Sequence, residues 1–140
     1  MTEQLEERIL HVDEDDITQE FMQAIFNRVG VKVDSAYDYD KAIDALKDDG
    51  FKKYTGLVFS ANFFDAPEKN GLALVKYVLN RGFDTDSYPI ILIAPEEKLE
   101  TLRKEPEILA RRIICIPELK DREEPEVNEI ISIYLSRRGL

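Results

Sequence analysis

At 140 residues, with 44% hydrophobic and 34% charged side chains, the chain is long enough to bury one core and too short for two. No apolar run approaches the roughly 20 residues of a membrane span, and the opening MTEQLEERIL is charged where a secretory signal would be apolar. The formal net charge of -10, from 29 acidic and 19 basic residues, opposes contact with a duplex carrying about one negative charge per 1.7 Å. The expectation is one domain over residues 1–140, cytoplasmic, in direct contact with neither nucleic acid nor membrane. Cys115 is the single cysteine and sits in the apolar run Ile113-Ile114-Cys115-Ile116 as a small hydrophobe would, which fits a reducing compartment. The basic pairs Arg111-Arg112 and Arg137-Arg138 read as solvated helix ends.

Short β-branched runs alternate with amphipathic stretches along the chain, the pattern of an α/β domain with a parallel sheet. Residues 8–12 predict a first strand. Ile17, Phe21, Ile25 and Val29 follow at four-residue spacing as the inner face of a helix that Gly30 ends. Residues 31–36 predict a second strand, and residues 38–48 a helix with Ala42, Ile43 and Leu46 inward and Gly50 as its stop. After a third strand at 57–61 comes a long loop with Pro67. Asn70 then caps a helix carrying Leu72, Val75, Val78 and Leu79 inward before Gly82. A fourth strand at 89–94 leads to a helix from residue 96, which Pro106 must break. Residues 113–116 predict a fifth strand, and Pro125 opens a last helix with Val127, Ile130, Ile131, Tyr134 and Leu135 facing the core. In open sheets of this kind the functional crevice lies at the carboxyl ends of the strands.

The run Ile9-Leu10-His11-Val12-Asp13-Glu14-Asp15-Asp16 resembles the first strand and acidic pair of the response-regulator receiver domains of bacterial two-component signalling. Five strand-helix units in order extend the resemblance over nearly the whole chain. It implies a doubly wound five-stranded parallel sheet, (βα)5 and flavodoxin-like, with strand order 2-1-3-4-5. An active receiver of that family holds Mg²⁺ with the acidic pair and with an aspartate ending the third strand, and that aspartate takes a phosphoryl group from a histidine kinase. A Thr or Ser ending the fourth strand and a Lys ending the fifth complete the site. Mg²⁺ requires carboxylate oxygens, the acceptor carboxylate is the nucleophile, and the ammonium offsets crowded negative charge.

On this sequence the acidic pair is Asp13 and Glu14. Ala61 falls at the phosphoacceptor, Ile93 at the Thr or Ser, and Ile116, before Pro117, at the Lys. A methyl group accepts no phosphoryl, and without the acceptor carboxylate the Lys has no charge left to balance. Three departures together describe an abandoned phosphorylation site, a pseudo-receiver. Asp13 and Glu14, lacking the third ligand, make at most a weak Mg²⁺ site, so no cofactor is expected. Pro117 matches the family, whose preceding peptide bond is often cis. Ile93 is expected to face Ile113, which removes the coupled motion of a hydroxyl and an aromatic residue by which active receivers switch.

The resemblance therefore implies no enzyme but a protein-interaction module that works without phosphorylation. Its partner surface would be the family's output face of fourth helix, fifth strand and fifth helix, with Leu99, Leu102, Arg103, Leu119, Lys120 and Tyr134. Homodimerisation through the same face stays open. The alternative is a receiver still switchable at Asp65, four residues beyond Ala61, with Mg²⁺ at Asp13 and Glu14. A small-molecule-binding flavodoxin-like domain is a third reading, weakened because Asp13-Glu14-Asp15-Asp16 occupies the place of a glycine-rich phosphate loop. The segment Phe63-Phe64-Asp65-Ala66-Pro67-Glu68-Lys69-Asn70 reads as a space filler or a remodelled lid. His11, the single histidine, reads as a packed strand residue.

Overall fold

The β-branched runs become five short strands: β1 (Arg8–Val12), β2 (Lys32–Ala36), β3 (Gly56–Ser60), β4 (Ile90–Ala94) and β5 (Ile114–Pro117). They form one parallel sheet in the order β2-β1-β3-β4-β5. The computed structural model describes residues 6–61, 69–111, 113–117 and 124–140. Its helices are α1 (Asp16–Arg28), α2 (Tyr39–Leu46), α3 (Gly71–Asn80), α4 (Glu96–Arg103), α5 (Pro106–Ala110) and α6 (Glu124–Arg138), with a 3-10 turn at Gly50–Lys53. The doubly wound (βα)5 fold with order 2-1-3-4-5 is the architecture of this chain.

Alternation along each strand divides the core into two layers. Ile9, Val58, Ile91, Ile93 and Ile116 meet Met22, Ile25 and Phe26 of α1 and Ile130, Ile131 and Tyr134 of α6. On the other face Leu10, Val12, Leu57, Phe59, Leu92, Ala94 and Cys115 meet Leu46 of α2, Leu74, Val75 and Val78 of α3, Leu99 of α4 and Ile108 of α5. Every residue of β3 and β4 is buried, as a parallel sheet covered on both faces requires. Asp15, Asp38 and Asn70 each cap a helix by accepting the amide of the residue three positions on, Thr18, Lys41 and Ala73.

Two inner faces depart from the expectation. In α1 the buried residues are Gln19, Met22, Ile25 and Phe26, while Ile17 is 57% and Val29 42% exposed. At 3.6 residues per turn a strict four-residue spacing drifts by about 40° a step, so three steps carry it roughly 120° off one face. At the end of α2 the left-handed residue is Asp48, at φ 56°; Gly50 lies in the following 3-10 turn. The break at Pro106 takes the expected form, with α4 ending at Arg103 and Pro106 opening the separate helix α5.

The last helix is tied to the opposite end of the chain. The Tyr134 hydroxyl donates to Glu7 Oε1 at 3.0 Å and lies 2.7 Å from Thr55 Oγ1. The Arg138 guanidinium grips the Glu7 carboxylate through Nε and Nη2, both at 2.9 Å. Arg138 is thus no solvated helix end: its side chain is only 18% exposed. Gly56 makes room for this tie, because a Cβ there would lie 2.7 Å from the Tyr134 ring.

Candidate functional site at the carboxyl ends of the strands

After Val12 the chain turns through Asp13 and Glu14 into α1. Asp13 is half-buried and Glu14 exposed. The Asp13 amide donates to the Ala36 carbonyl at the end of β2 at 3.1 Å. Asp13 Oδ1 accepts the Asp15 amide at 2.9 Å, so part of this carboxylate already serves the turn. Beneath it Gln19 Nε2 donates to the carbonyls of His11, Asp13 and Ala36 at 3.1, 3.0 and 2.9 Å. Gln19 Oε1 lies 2.6 Å from His11 Nδ1.

His11 is fully buried, as a packed strand residue should be, and burial lowers its pKa to about 4 against the weaker opposing effect of Gln19. Its Nε2 has no hydrogen-bond partner, so no serine is paired with it for nucleophilic chemistry.

At the end of β3, Ala61 is 5% exposed. Its amide donates to the Ile93 carbonyl at 2.7 Å and its carbonyl accepts the Gly71 amide at 3.1 Å. Gly71 opens α3 against the strand end; a Cβ there would strike the Ser60 carbonyl oxygen and sit 2.8 Å from Ala61 Cα. The side chain near the end of β4 that shares the sheet face of Ala61 is Ala94 and not Ile93. Ser60 is in register with Ile93, and Ile93 with Ile116; both isoleucines pack in the layer under α1 and α6. Ala61 and Ala94 share the other layer. Of the positions expected to form one degenerate pocket with Asp13 and Glu14, Ala61 lies on one face, beside the unexpected Ala94, and Ile93 and Ile116 fill the core of the other.

The same register corrects the expected contact of Ile93 with Ile113. Ile93 lies beside Ile116, and Ile113 belongs to the opposite layer. The peptide bond before Pro117 is trans.

Among the described residues, no group of three or more His, Cys, Asp or Glu side chains is disposed to hold a metal ion. At the end of β3 Ala61 offers a methyl group and not a third carboxylate, so among the described residues the donor set does not fit an octahedral cation. Asp65, Phe63 and Phe64 lie outside the described residues. Two surface recesses, of about 510 and 270 Å³, lie at the opposite end of the sheet, where Gly82, Phe83 and Asp84 precede β4.

The expected partner surface is only partly a surface. Leu99 is 6% and Tyr134 1% exposed, so both are core residues; Leu102 is half-buried. Arg103 is exposed, and its Nη2 donates to the Cys115 carbonyl on the edge strand β5 at 3.0 Å. Leu119 and Lys120 lie outside the described residues. Among the described residues, Leu109 of α5 is an exposed apolar side chain, at 67%.

Residue-by-residue reading passed over Gln19 and Ala94. Gln19 was discoverable as a polar residue on the i, i+3, i+7 row with Met22 and Phe26. Ala94 needed the register between β3 and β4, which no local pattern states.

No family model matches the sequence, and no curated protein matches it. Solved structures do match the fold. The Francisella response regulator 1452 receiver domain superposes with a TM-score of 0.70 at 16% identity, over 95% of this chain and 97% of that one. A response regulator receiver protein from Sinorhizobium medicae gives 0.69 at 18% identity, over 95% and 94%. The Vibrio cholerae chemotaxis protein CheY4 gives 0.65 at 18% identity, over 92% and 98%. The described residues contain no helix long and apolar enough to cross a membrane.

Proposed function

We propose that this chain is an atypical receiver domain of bacterial signal transduction that acts through protein-protein interaction and without phosphorylation. The receiver fold of its structural neighbours supports the signalling role. The observation that carries the finer reading is Ala61 at the end of β3 with Ala94 beside it: where an acyl phosphate would form there is no carboxylate, and where a hydroxyl would steady the phosphoryl group there is a second methyl. The domain accordingly needs no Mg²⁺, performs no catalysis and works in the cytoplasm. Its partner surface is the side formed by α4, α5, β5 and α6, with Leu102, Arg103 and Leu109 as contact residues; a second copy of the chain is an alternative occupant of that side.

The test is to record amide NMR spectra while adding Mg²⁺ and then beryllofluoride, with mass spectrometry after a small-molecule phosphodonor. Unmoved spectra and an unchanged mass are the expected result. Saturable shifts at Asp13 and Glu14 with a phosphoryl mass increase would overturn the reading and direct attention to Asp65 as acceptor.

A further inference from the structure

We infer that His11 and Gln19 form an internal staple that holds the acidic turn after β1 in one geometry, independently of any cation or covalent change at the strand ends. The staple begins with one amide nitrogen. Gln19 Nε2 donates to His11 O, Asp13 O and Ala36 O, and these carbonyls belong to β1, to the turn and to the end of β2. One side chain from α1 thus ties three backbone segments together.

The other end of the amide determines the imidazole. With its nitrogen committed to carbonyls, Gln19 can only accept through Oε1. His11 Nδ1, 2.6 Å away, therefore carries the proton, and Nε2 is left as a bare lone pair. That lone pair is the atom with no partner, which suits a neutral ring: a buried lone pair is tolerated better than a buried N–H with nothing to bind. His11 is 0% and Gln19 1% exposed, so water does not compete for these bonds.

Two further bonds complete the hold on the turn, from the Asp13 amide to Ala36 O at 3.1 Å and from the Asp15 amide to Asp13 Oδ1 at 2.9 Å. The turn backbone is held by the neutral Gln19 amide and by the Asp13 carboxylate itself. Moving the turn means breaking several bonds at once, those from Gln19 to the His11 and Ala36 carbonyls in a buried setting. A leucine would fill the same position of the α1 inner face beside Met22 without the desolvation cost of an amide; the amide is there for what it binds.

This inference deepens the proposed reading of a receiver domain that works without phosphorylation, and its test separates the two. Hydrogen exchange is followed by NMR on the full chain, as wild type and as Gln19→Met, with and without about 10 mM Mg²⁺. In the wild type the Asp13 and Asp15 amides exchange slowly, and Mg²⁺ changes this by less than about twofold. In Gln19→Met the same two amides speed up by about tenfold or more, while those of Leu57 and Leu92 in the central strands stay within about twofold. Uniform acceleration throughout the sheet, or none at the turn, overturns the staple, as does a wild-type turn that slows about tenfold on adding Mg²⁺. If Gln19→Met does not fold, the imidazole ¹⁵N spectrum of the wild type decides. A protonated Nδ1 with slow proton exchange is the expected signature, and a ring protonated at Nε2 overturns the proposal. A phosphodonor that added mass would defeat the proposed function and leave each of these readouts standing.

Discussion

At the scale of single residues, the two polar side chains that matter most are buried ones. His11 sits in a strand with its pKa lowered to about 4 by burial, against about 6.5 in the unfolded chain. The unfolded state binds the extra proton between those values, so the contribution of neutral His11 is complete above about pH 6.5 and is lost as pH falls toward about 4. Over that interval the loss amounts to about 3 kcal/mol. Urea unfolding at pH 7 and pH 4 should therefore show a smaller decline for His11→Val than for the wild type; equal declines would mean the imidazole is not the group being titrated. Tyr134 has its hydroxyl pKa pushed up to about 12, burial being the largest cause, and it bonds both Thr55 and Glu7. Removing that hydroxyl in Tyr134→Phe should cost about 1–2 kcal/mol in the same measurement, and a neutral result would show that the Arg138–Glu7 pair alone secures α6.

At the scale of elements, the alternation of strands and helices was legible from local pattern, because period-two and near-3.6 apolar spacings report directly which segments can bury a face; the strand order came from the resemblance alone. The inner row of α1 was not legible. Ile17 and Val29 look like core in the one-dimensional string and are exposed, since a helix only 13 residues long buries whichever side its neighbours cover. The start of α3 depends on a single missing atom. Gly71→Ala would drive a Cβ into the Ser60 carbonyl oxygen and against Ala61 Cα, both backbone groups that cannot rotate away. A loss of about 1–3 kcal/mol is expected, with shifted amide resonances at Ala61; an alanine variant as stable as wild type would mean that α3 slides along the sheet.

At the scale of the whole molecule, the proposed partner surface can be tested by substitution. Leu109→Asp alters an exposed side chain and should leave stability within about 0.5 kcal/mol while weakening any interaction through the α4–α5–β5–α6 side. Leu99→Asp, by contrast, buries an unpaired charge at a position 6% exposed and should unfold the domain. A Leu109→Asp protein that binds its partner as well as the wild type does would move the contact surface elsewhere. The sequence by itself determined the alternation of strands and helices, the cap at Asn70, the break at Pro106 and the methyl side chain at Ala61, because each is a property of one residue or of a short repeat. Only the tertiary structure decided that Ala94 and not Ile93 accompanies Ala61, that Tyr134 and Leu99 are core, that Arg138 is paired with Glu7 and that Gln19 binds three carbonyls. Each of these depends on the register between strands or on contacts between segments far apart in the chain, and no local pattern encodes where a side chain will find its neighbour.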